Sequence, residues 1–305
     1  CPVPHVMQRG QVCLKKKGLF VLLMVALLLI LLVGVGLVIY PMLSSSYMER
    51  HQSEVRTQFQ EILNETPKED LEADRAVAER YNRELAEGTL LGGTTEDGIL
   101  YEEILDVTGT GMMGYVEIPS IDVMLPIYHG TGEDSLSQGA GHMPNSSFPI
   151  GGEGTHAVIS AHSAMATARM FTDLDQLKAG DRFSIHVLDE VLDYEVDRIV
   201  TVLPSEIEYL KIEPEGDYVT LLTCVPYGVN THRLLVRGHR VEVEHSLSTE
   251  AHPSQKEVVA KSTWQEKYWQ GILVGLGIFL GAVWIFVLTR WVIKRISRKN
   301  RGDPA

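Results

Sequence analysis

The residue best suited to chemistry in this chain is Cys224. It ends the run Tyr218-Val-Thr-Leu-Leu-Thr-Cys224 and is the only cysteine between two long apolar segments, because the other two are Cys1 and Cys13. A thiol with no second cysteine in its own region cannot form an intramolecular disulfide there. A lone cysteine can also be a small apolar core residue. Cys224 is therefore a candidate nucleophile, provided that other residues activate it.

Two residues could activate this thiol if the fold brings them to it. The run ending at Cys224 is followed by a turn-rich loop and a second apolar run beginning near Arg233, so an antiparallel return would place Arg233 beside Cys224. His162 follows another apolar run, Ala157-Val-Ile-Ser160, and reaches the same rim only if that run lies parallel to the cysteine run. Spacing alone does not decide this parallel arrangement.

Other histidines and arginines compete for these roles. The nearest histidines are His142 and His232, which we interpret as loop or structural residues. Arg237 and Arg240 follow Arg233, and an arginine on a strand usually belongs to a solvated face. Its predicted position beside the cysteine favours Arg233 over Arg237 and Arg240 as the residue that activates the thiol.

These residue types can divide the steps of an acyl transfer. With the ordinary side-chain pKa of about 8.5 for cysteine and about 6.5 for histidine, only about 1% of a Cys–His pair is thiolate plus imidazolium. Catalysis must therefore use that minority or stabilise the thiolate locally. Arg233 would stabilise the thiolate and a tetrahedral oxyanion. His162 as imidazolium would protonate a leaving amine.

The region that carries these residues has the pattern of a β-protein. Its short apolar or alternating runs, separated by turns, predict strands at 114–118, 123–128, 155–160, 182–187, 192–197, 219–223 and 233–237. Strands at this spacing favour a closed or nearly closed β-barrel. The clearest predicted helical interruption runs from Ala166 to Leu177.

The region before the strands is predicted to be helical. Its apolar residues recur at near-helical spacing, as do Val55, Phe59, Ile62 and Leu63. The pattern continues past Pro67, so two helices are expected within 44–91. A glycine-rich stretch, Gly88 to Gly98, then predicts a mobile loop.

Two apolar segments are long enough to cross a bilayer. Gly18 to Tyr40 is uncharged, and its 23 residues would form roughly 34 Å of helix. Gly271 to Thr289 is also uncharged and has 19 residues. A cleaved signal peptide is the alternative for the first segment, but the apolar run exceeds the usual ~7–15 residues and no small-residue cleavage site follows. We therefore expect two transmembrane helices.

Basic residues flank both segments on their outer sides. Arg9 and Lys15–Lys17 precede the first segment, and six Lys and Arg between Arg290 and Arg301 follow the second. The positive-inside rule then places both termini in the cytoplasm and the intervening region on the extracellular face of the cell membrane. Because the sequence begins with Cys1 rather than Met, we expect its beginning to be truncated.

The predicted domain order follows from these features: a cytoplasmic tail at 1–17, a span at 18–40, a helical extension with a lid-like loop at 41–111, a catalytic barrel at 112–245, a linker at 246–270, a span at 271–289 and a basic cytoplasmic tail at 290–305.

The part between the basic flanks contains 17 Lys and Arg against 39 Asp and Glu, a formal charge of −22. Nucleic acids and anionic lipid headgroups bind basic patches, so this charge argues against both as ligands.

Several of these motifs together resemble the sortases, the cysteine transpeptidases of Gram-positive surfaces. The resemblance is carried by Thr220-Leu-Leu-Thr-Cys224, by Arg233 nine positions later and by His162 in Ser160-Ala-His-Ser163. It continues through Ile127-Tyr-His-Gly-Thr131, Gly139-Ala-Gly-His142, Phe171-Thr-Asp-Leu174 and His232-Arg-Leu-Leu-Val-Arg-Gly-His-Arg240. It implies a mainly β fold, a sortase-like closed barrel with short helices, in which Cys224, His162 and Arg233 are catalytic.

The subgroup that the chain most resembles is class C, the pilus-assembling sortases. That group carries a helical N-terminal extension and commonly a second, C-terminal span. The chain departs from it at Leu90–Gly98, which lacks the usual Asp-Pro-aromatic motif by which an anchored aromatic covers the active site. It departs again at Ala161-His-Ser163, where the family often has Gly-His-Arg.

The resemblance also implies substrates and partners. A sorting signal of the Leu-Pro-x-Thr-Gly type, on a surface or pilin protein, would be cleaved after Thr to give a thioester on Cys224. A pilin lysine would then resolve the thioester, whereas a housekeeping sortase uses a cell-wall peptide amine. No metal-ligand cluster or phosphate-binding loop accompanies the site in the sequence, so no metal and no cofactor are expected. The expected partners are these proteins, the amine acceptor and membrane lipid, without nucleic acid.

Two other classes of protein remain open. A plain cysteine peptidase would use the same residues with water as the acceptor, and diversion of its product by an added amine would distinguish a transpeptidase from it. A noncatalytic membrane anchor or scaffold would tolerate loss of Cys224.

Overall fold

The computed structural model describes residues 54–90, 93–163 and 168–242, with scattered helical residues between 25 and 47 and between 272 and 295. The chain divides into two units, residues 1–50 with 166–168 and residues 51–165 with 169–305. In the first unit the described residues 28–36 are helical. The second unit contains every element described below.

Eight strands of the second unit form a closed barrel. Their bounds are β1 Met112–Ile118, β2 Val123–His129, β3 Ala140–His142, β4 Thr155–Ser160, β5 Arg182–Val187, β6 Glu190–Val202, β7 Asp217–Val225 and β8 His232–Val241. Around the barrel the order is β1-β2-β3-β4-β7-β8-β6-β5, and β5 pairs back to β1. Short helical turns lie between the strands. The predicted mainly β, closed barrel with short helices is therefore confirmed.

The two neighbours of β7 determine where the candidate residues meet. Strand β4 runs parallel to β7, with Ser160 opposite Leu222 at its end. Strand β8 runs antiparallel to β7, with Cys224 opposite Arg233. The parallel arrangement on which the prediction for His162 depended is present. The predicted antiparallel return of Arg233 is present as well.

The apolar patterns of the strands explain the barrel core. In β5 the side chains of Phe183, Ile185 and Val187 are buried and alternate with more accessible neighbours. Strand β4 is buried along its whole length. Burial of each large apolar side chain contributes about 1.5–3 kcal/mol to folding. At Gly114 a Cβ atom would lie 2.2 Å from the carbonyl oxygen of His186, so β1 can approach β5 here only with glycine.

Two helices precede the barrel, as predicted. Residues 54–65 form helix α1 and Lys68–Glu87 form helix α2, with Pro67 between them. Phe59 of α1 packs in an apolar cluster with Met112 and Tyr128 of the barrel. This cluster joins the helical extension to strands β1 and β2.

Helix α2 contacts the barrel through one face and ends at a glycine. The side-chain amide of Asn82 accepts a hydrogen bond from the Phe148 N–H, 2.6 Å, and donates one to the Phe148 carbonyl oxygen, 3.1 Å. Tyr81 packs edge-on against the Phe148 ring. Gly88 adopts the left-handed conformation, φ 70°, that ends many helices.

The glycine-rich loop after α2 is attached to that helix. The Glu84 carboxylate accepts a hydrogen bond from the Glu96 N–H, 3.1 Å, and Arg80 forms an ion pair with Asp97. Thr95 is buried, and its hydroxyl accepts a hydrogen bond from the Ile99 N–H. Positions 91 and 92 lie outside the described residues. Mobility of the loop stays a prediction.

The predicted helix from Ala166 to Leu177 is wrong over its described residues. Positions 164–167 lie outside them, and the remainder holds only a 3-10 turn at Leu174–Gln176. Met170 has a φ of 45°, which is incompatible with a right-handed helix. The Asp173 carboxylate accepts hydrogen bonds from the Arg169 and Gln176 side chains. Side-chain bonds thus stabilise a turn in place of the helix.

Twelve of the 23 positions of the predicted span at 18–40 and five of the 19 positions of the span at 271–289 lie outside the described residues, and the described stretches 28–36 and 272–277 are helical. In the part of the chain that the structure describes, no helix is both long and apolar enough to cross a membrane. The tail at 1–17, the linker at 246–270 and most of the tail at 290–305 also fall outside the described residues.

Candidate active site

The three predicted residues line one groove at the rim of the barrel. This groove has a volume of about 330 Å³, and Cys224, His162 and Arg233 all contribute to its wall. Most of the other lining side chains are apolar: Leu136, Met143, Val202, Leu203, Ile207, Leu210, Leu222 and Leu235. A thiol, an imidazole and a guanidinium therefore face a mainly apolar groove.

Cys224 lies at the second-last position of β7. Its thiol is free and partly exposed, and it is the only free cysteine among the described residues. Arg233 occupies the facing position on β8. Directly opposed residues on neighbouring antiparallel strands hold their Cβ atoms roughly 4.5–5.5 Å apart. The sheet itself therefore places the cation beside the thiol.

His162 is held next to β7 by an extension of β4 beyond its last strand residue. The Ala161 N–H donates a hydrogen bond to the Leu222 carbonyl oxygen, 3.1 Å. The Thr223 hydroxyl donates in return to the Ala161 carbonyl oxygen, 2.8 Å. The chain around His162 thus continues the parallel pairing as far as the catalytic end of β7.

The next residue completes this attachment. The Ser163 hydroxyl donates a hydrogen bond of 2.5 Å to the carbonyl oxygen of Cys224. The carbonyl oxygen of His162 accepts a hydrogen bond from the Phe171 N–H, 2.9 Å. His162 is therefore fixed on both sides by backbone contacts. The serine that departs from the Gly-His-Arg pattern is the residue that makes one of them.

The side chain of His162 also approaches a carboxylate. Its Nε2 atom lies 3.8 Å from Oε2 of Glu133, in the one-turn helix α3, Glu133–Leu136. This distance exceeds that of a hydrogen bond, and the Glu133 side chain is 82% exposed. Exposed pairs of this kind contribute little energy.

Arg233 is oriented by its own turn. Its Nη1 group donates hydrogen bonds of 3.1 Å to the carbonyl oxygens of Asn230 and His232. Among the described residues, its Nε and Nη2 groups have no partner. These donors remain for a substrate oxygen in the groove.

Of the two competing histidines, His142 is a structural residue. It is buried, and burial lowers its pKa to about 4. The neutral ring then donates from Nε2 to the Ser147 carbonyl oxygen, 2.8 Å, and accepts at Nδ1 from the Tyr101 hydroxyl, 2.8 Å. His232, the other competitor, contacts the Thr231 hydroxyl through Nδ1 at 2.9 Å.

The assignment of Arg237 to a solvated face is wrong. Arg237 is 6% exposed and forms ion pairs with Asp197 and Glu213. Arg237 lies within the buried run of β8, Leu234–Gly238. A charged residue inside so apolar a run was the available signal of a buried ion pair, because a lone buried charge is too costly to retain.

The sequence predicts a lid-like loop near the site and no metal ion in it. Among the described residues of 54–90 and 93–111, none lines the groove. Within the described part of the chain there is also no group of three or more His, Cys, Asp or Glu side chains that could hold a metal ion. The absence of a cofactor from the reaction remains a prediction.

Known proteins resemble both the sequence and this fold. Residues 116–241 match the sortase domain family. Sortase A of Streptococcus agalactiae is 29% identical over 130 residues, which are 42% of this chain and 52% of that protein. The chain thus spans about half the length of this curated relative.

Solved structures match a longer part of the chain. Sortase C of Clostridium perfringens, solved with the C-terminal cell wall sorting motif, is 42% identical with a TM-score of 0.56, over 63% of this chain and 100% of that one. Sortase C of Streptococcus pneumoniae is 43% identical with a TM-score of 0.56, over 62% of this chain and 97% of that one. Because this identity extends over nearly the whole of each sortase C structure, the chain belongs to the sortase family of cysteine transpeptidases, and its structural neighbours are class C sortases.

Proposed function

We propose that this protein is a pilus-assembling, class C transpeptidase, with Cys224, His162 and Arg233 as its catalytic residues. It cleaves a sorting signal of the Leu-Pro-x-Thr-Gly type and transfers the acyl group to an amine, a pilin lysine. The observation that carries the proposal is the pairing of Cys224 with Arg233 across β7 and β8, with His162 attached alongside in the same groove. The S. pneumoniae enzyme is described in terms of pilin substrate specificity, which supports the same substrate class here.

In this proposal each of the three residues has its own task. The Cys224 thiolate attacks the threonine carbonyl carbon, and the free donors of Arg233 stabilise the resulting oxyanion. His162 protonates the departing glycine amine, which leaves a thioester on Cys224. An incoming amine then attacks the thioester carbonyl, and His162 accepts its proton as the thiolate departs.

The shape of the groove supports an apolar peptide as substrate. Leucine and proline of a sorting signal can be buried against its apolar wall, which includes Leu203, Ile207 and Leu210. The C. perfringens sortase C was solved with a C-terminal cell wall sorting motif, which supports a ligand of this class.

We also propose that the enzyme is anchored in the cell membrane by helices at 18–40 and 271–289, with the barrel on the extracellular face. The apolar length of both segments and their basic outer flanks support this placement. The barrel would then meet surface proteins and their amine acceptors outside the cell. Membrane lipid would surround the two helices.

The first test uses the full chain and a sorting-signal peptide. Intact mass should show a thioester adduct that is absent in Cys224→Ala, whose turnover should fall by about 10⁴-fold or more, as for other covalent nucleophiles. An adduct that persists in Cys224→Ala would contradict the assignment of the nucleophile.

The acceptor is identified in the same reaction. A lysine peptide from a pilin should divert the product to an isopeptide, and this diversion should exceed that by a cell-wall peptide amine. A preference for the cell-wall amine would indicate a housekeeping sortase. Release of the free acid alone, with either amine present, would indicate a peptidase.

A further inference from the structure

One wall of the groove is formed by residues 203–213 of the segment between β6 and β7, and we call these residues the groove loop. Five of its side chains line the groove: Leu203, Pro204, Glu206, Ile207 and Leu210. The groove loop therefore supplies much of the surface against which a bound peptide would pack.

Hydrogen bonds within the groove loop make it a compact unit. The Leu203 N–H donates to the Glu206 carboxylate, 2.6 Å, and the Glu206 N–H donates to the Leu203 carbonyl oxygen, 3.0 Å. A 3-10 turn at Glu208–Leu210 follows. The position of the groove loop against the barrel then depends on how its C-terminal end, at Lys211 and Glu213, is attached.

A buried histidine makes the first attachment. His156 of β4 is 1% exposed, and burial lowers its pKa, so the ring is neutral near pH 7. Its Nδ1–H donates to the Lys211 carbonyl oxygen, 2.9 Å, while Nε2 accepts from the Thr220 hydroxyl, 2.7 Å. One ring thus connects the groove loop to both β4 and β7.

A buried arginine makes the second attachment. The Nη1 group of Arg237 donates to the Glu213 carboxylate, 2.8 Å. Its Nε and Nη2 groups donate to the Asp197 carboxylate, 3.1 and 2.7 Å, and the guanidinium lies 3.9 Å from the ring centre of Tyr218. The guanidinium is therefore oriented by β6 and β7 and presents its remaining donor to the groove loop.

Neither attachment involves the reacting groups. His156, Arg237 and Glu213 are not among the residues that line the groove. His156 and Arg237 contact the Lys211 carbonyl oxygen and the Glu213 carboxylate at the far end of the groove loop, whereas the side chains that line the groove lie between Leu203 and Leu210. Any effect on substrate would have to pass through the position of the groove loop.

We propose that His156, Arg237 and Glu213 are positioning residues that set the affinity for the sorting signal by holding the groove loop against the barrel. This inference rests on the proposed function, because it assumes that the groove binds a sorting signal. Loss of one attachment increases the fraction of molecules with a displaced loop, and the apparent dissociation constant rises as the competent fraction falls. The chemistry on Cys224 is unchanged once the peptide is bound.

Glu213→Gln is the most informative variant. Glu213→Gln keeps the size of the half-exposed side chain and leaves Arg237 paired with Asp197, whereas a change at Arg237 would leave Asp197 without its buried partner. The matched control is Glu215→Gln, which removes an exposed carboxylate two positions along the same connection without touching Arg237.

The experiment measures binding and turnover separately in the full chain, purified in detergent. In a Cys224→Ala background, anisotropy of a labelled sorting-signal peptide should show a roughly two- to fivefold higher Kd for Glu213→Gln, because the glutamine amide can still accept from Arg237 but the charge of the half-exposed ion pair is lost, and no change for Glu215→Gln. With Cys224 present, KM should rise similarly, while kcat and the rate of Cys224 alkylation by iodoacetamide stay within about twofold.

The possible failures are distinguishable. Equal Kd values for Glu213→Gln and Glu215→Gln, with the parent binding normally, would overturn the inference and leave the proposed function standing. Parallel losses of kcat, alkylation rate and thermal stability in Glu213→Gln would overturn it in favour of a general structural role. A parent that binds no sorting-signal peptide would overturn both the inference and the proposed function.

Discussion

At the scale of single residues, the position of the imidazole beside the thiol depends on side-chain hydroxyl groups as well as on the backbone pairing of Ala161 with Leu222. Strand β4 ends at Ser160, two residues before His162. Beyond that point, hydroxyls of Thr223 and Ser163 bond the carbonyl oxygens of the facing chain. Such bonds contribute only about 0.5–1.5 kcal/mol to stability, but they determine where the imidazole stands relative to the thiol.

Ser163→Ala should therefore impair catalysis more than folding. We expect kcat to fall about three- to tenfold with KM nearly unchanged, because His162 loses one of the contacts that hold it beside Cys224. Ser163→Thr keeps the hydroxyl and should restore most of the rate. Steady-state kinetics with a sorting-signal peptide measure both values, and a threonine variant as slow as the alanine variant would argue against the hydrogen bond.

At the scale of elements, the sequence predicts the strands well and their arrangement only in part. The boundaries of β4 and β5 agree with the apolar runs, and the turn after Cys224 is short enough to predict its pairing with β8. The parallel pairing of β4 with β7 could not be predicted, since 56 residues separate their ends Ser160 and Asp217. Only the whole barrel decides which strands become neighbours.

Other elements escaped prediction for local reasons. The three residues of β3 are too few to show alternation. Strand β6 continues to Val202 past a bulge between Val196 and Arg198, where the alternating pattern changes phase. The ion pair of Arg237 with Glu213 joins β8 to the groove loop, so the sequence around either residue does not predict its partner.

The loop after α2 provides a prediction at this scale. An ion pair between Asp97 of this loop and Arg80 of α2 attaches the loop to the helix. No described residue of α2 lines the groove. Asp97→Asn should therefore leave the rate of Cys224 alkylation within about twofold of the parent. A similar result is expected for Glu96→Gln, the matched exposed neighbour. A several-fold faster alkylation in Asp97→Asn alone would show that the loop covers the thiol.

At the scale of the whole molecule, fold and charge fit an enzyme that works at a surface. Among the described residues, Cys224 is the only cysteine, so this part of the chain contains no disulfide and its stability comes from the core. The region between the basic flanks is acidic, with a formal charge of −22. A net charge of this size favours solubility and weakens attraction to anionic lipid headgroups. The barrel would thus stay clear of the bilayer that its apolar segments are proposed to enter.

The cysteines of the chain allow the proposed topology to be tested directly. In intact cells that express the full chain, a membrane-impermeant maleimide should label Cys224, whereas Cys1 and Cys13 should react only after the membrane is permeabilised, because the basic flanks retain the N-terminus inside. A Cys224→Ala variant should show no labelling in intact cells. Adding Ser297→Cys to that variant reports on the C-terminus in the same way. Labelling of Ser297→Cys in intact cells would contradict the two-span arrangement, because a single span leaves the C-terminal basic cluster on the same side as the barrel.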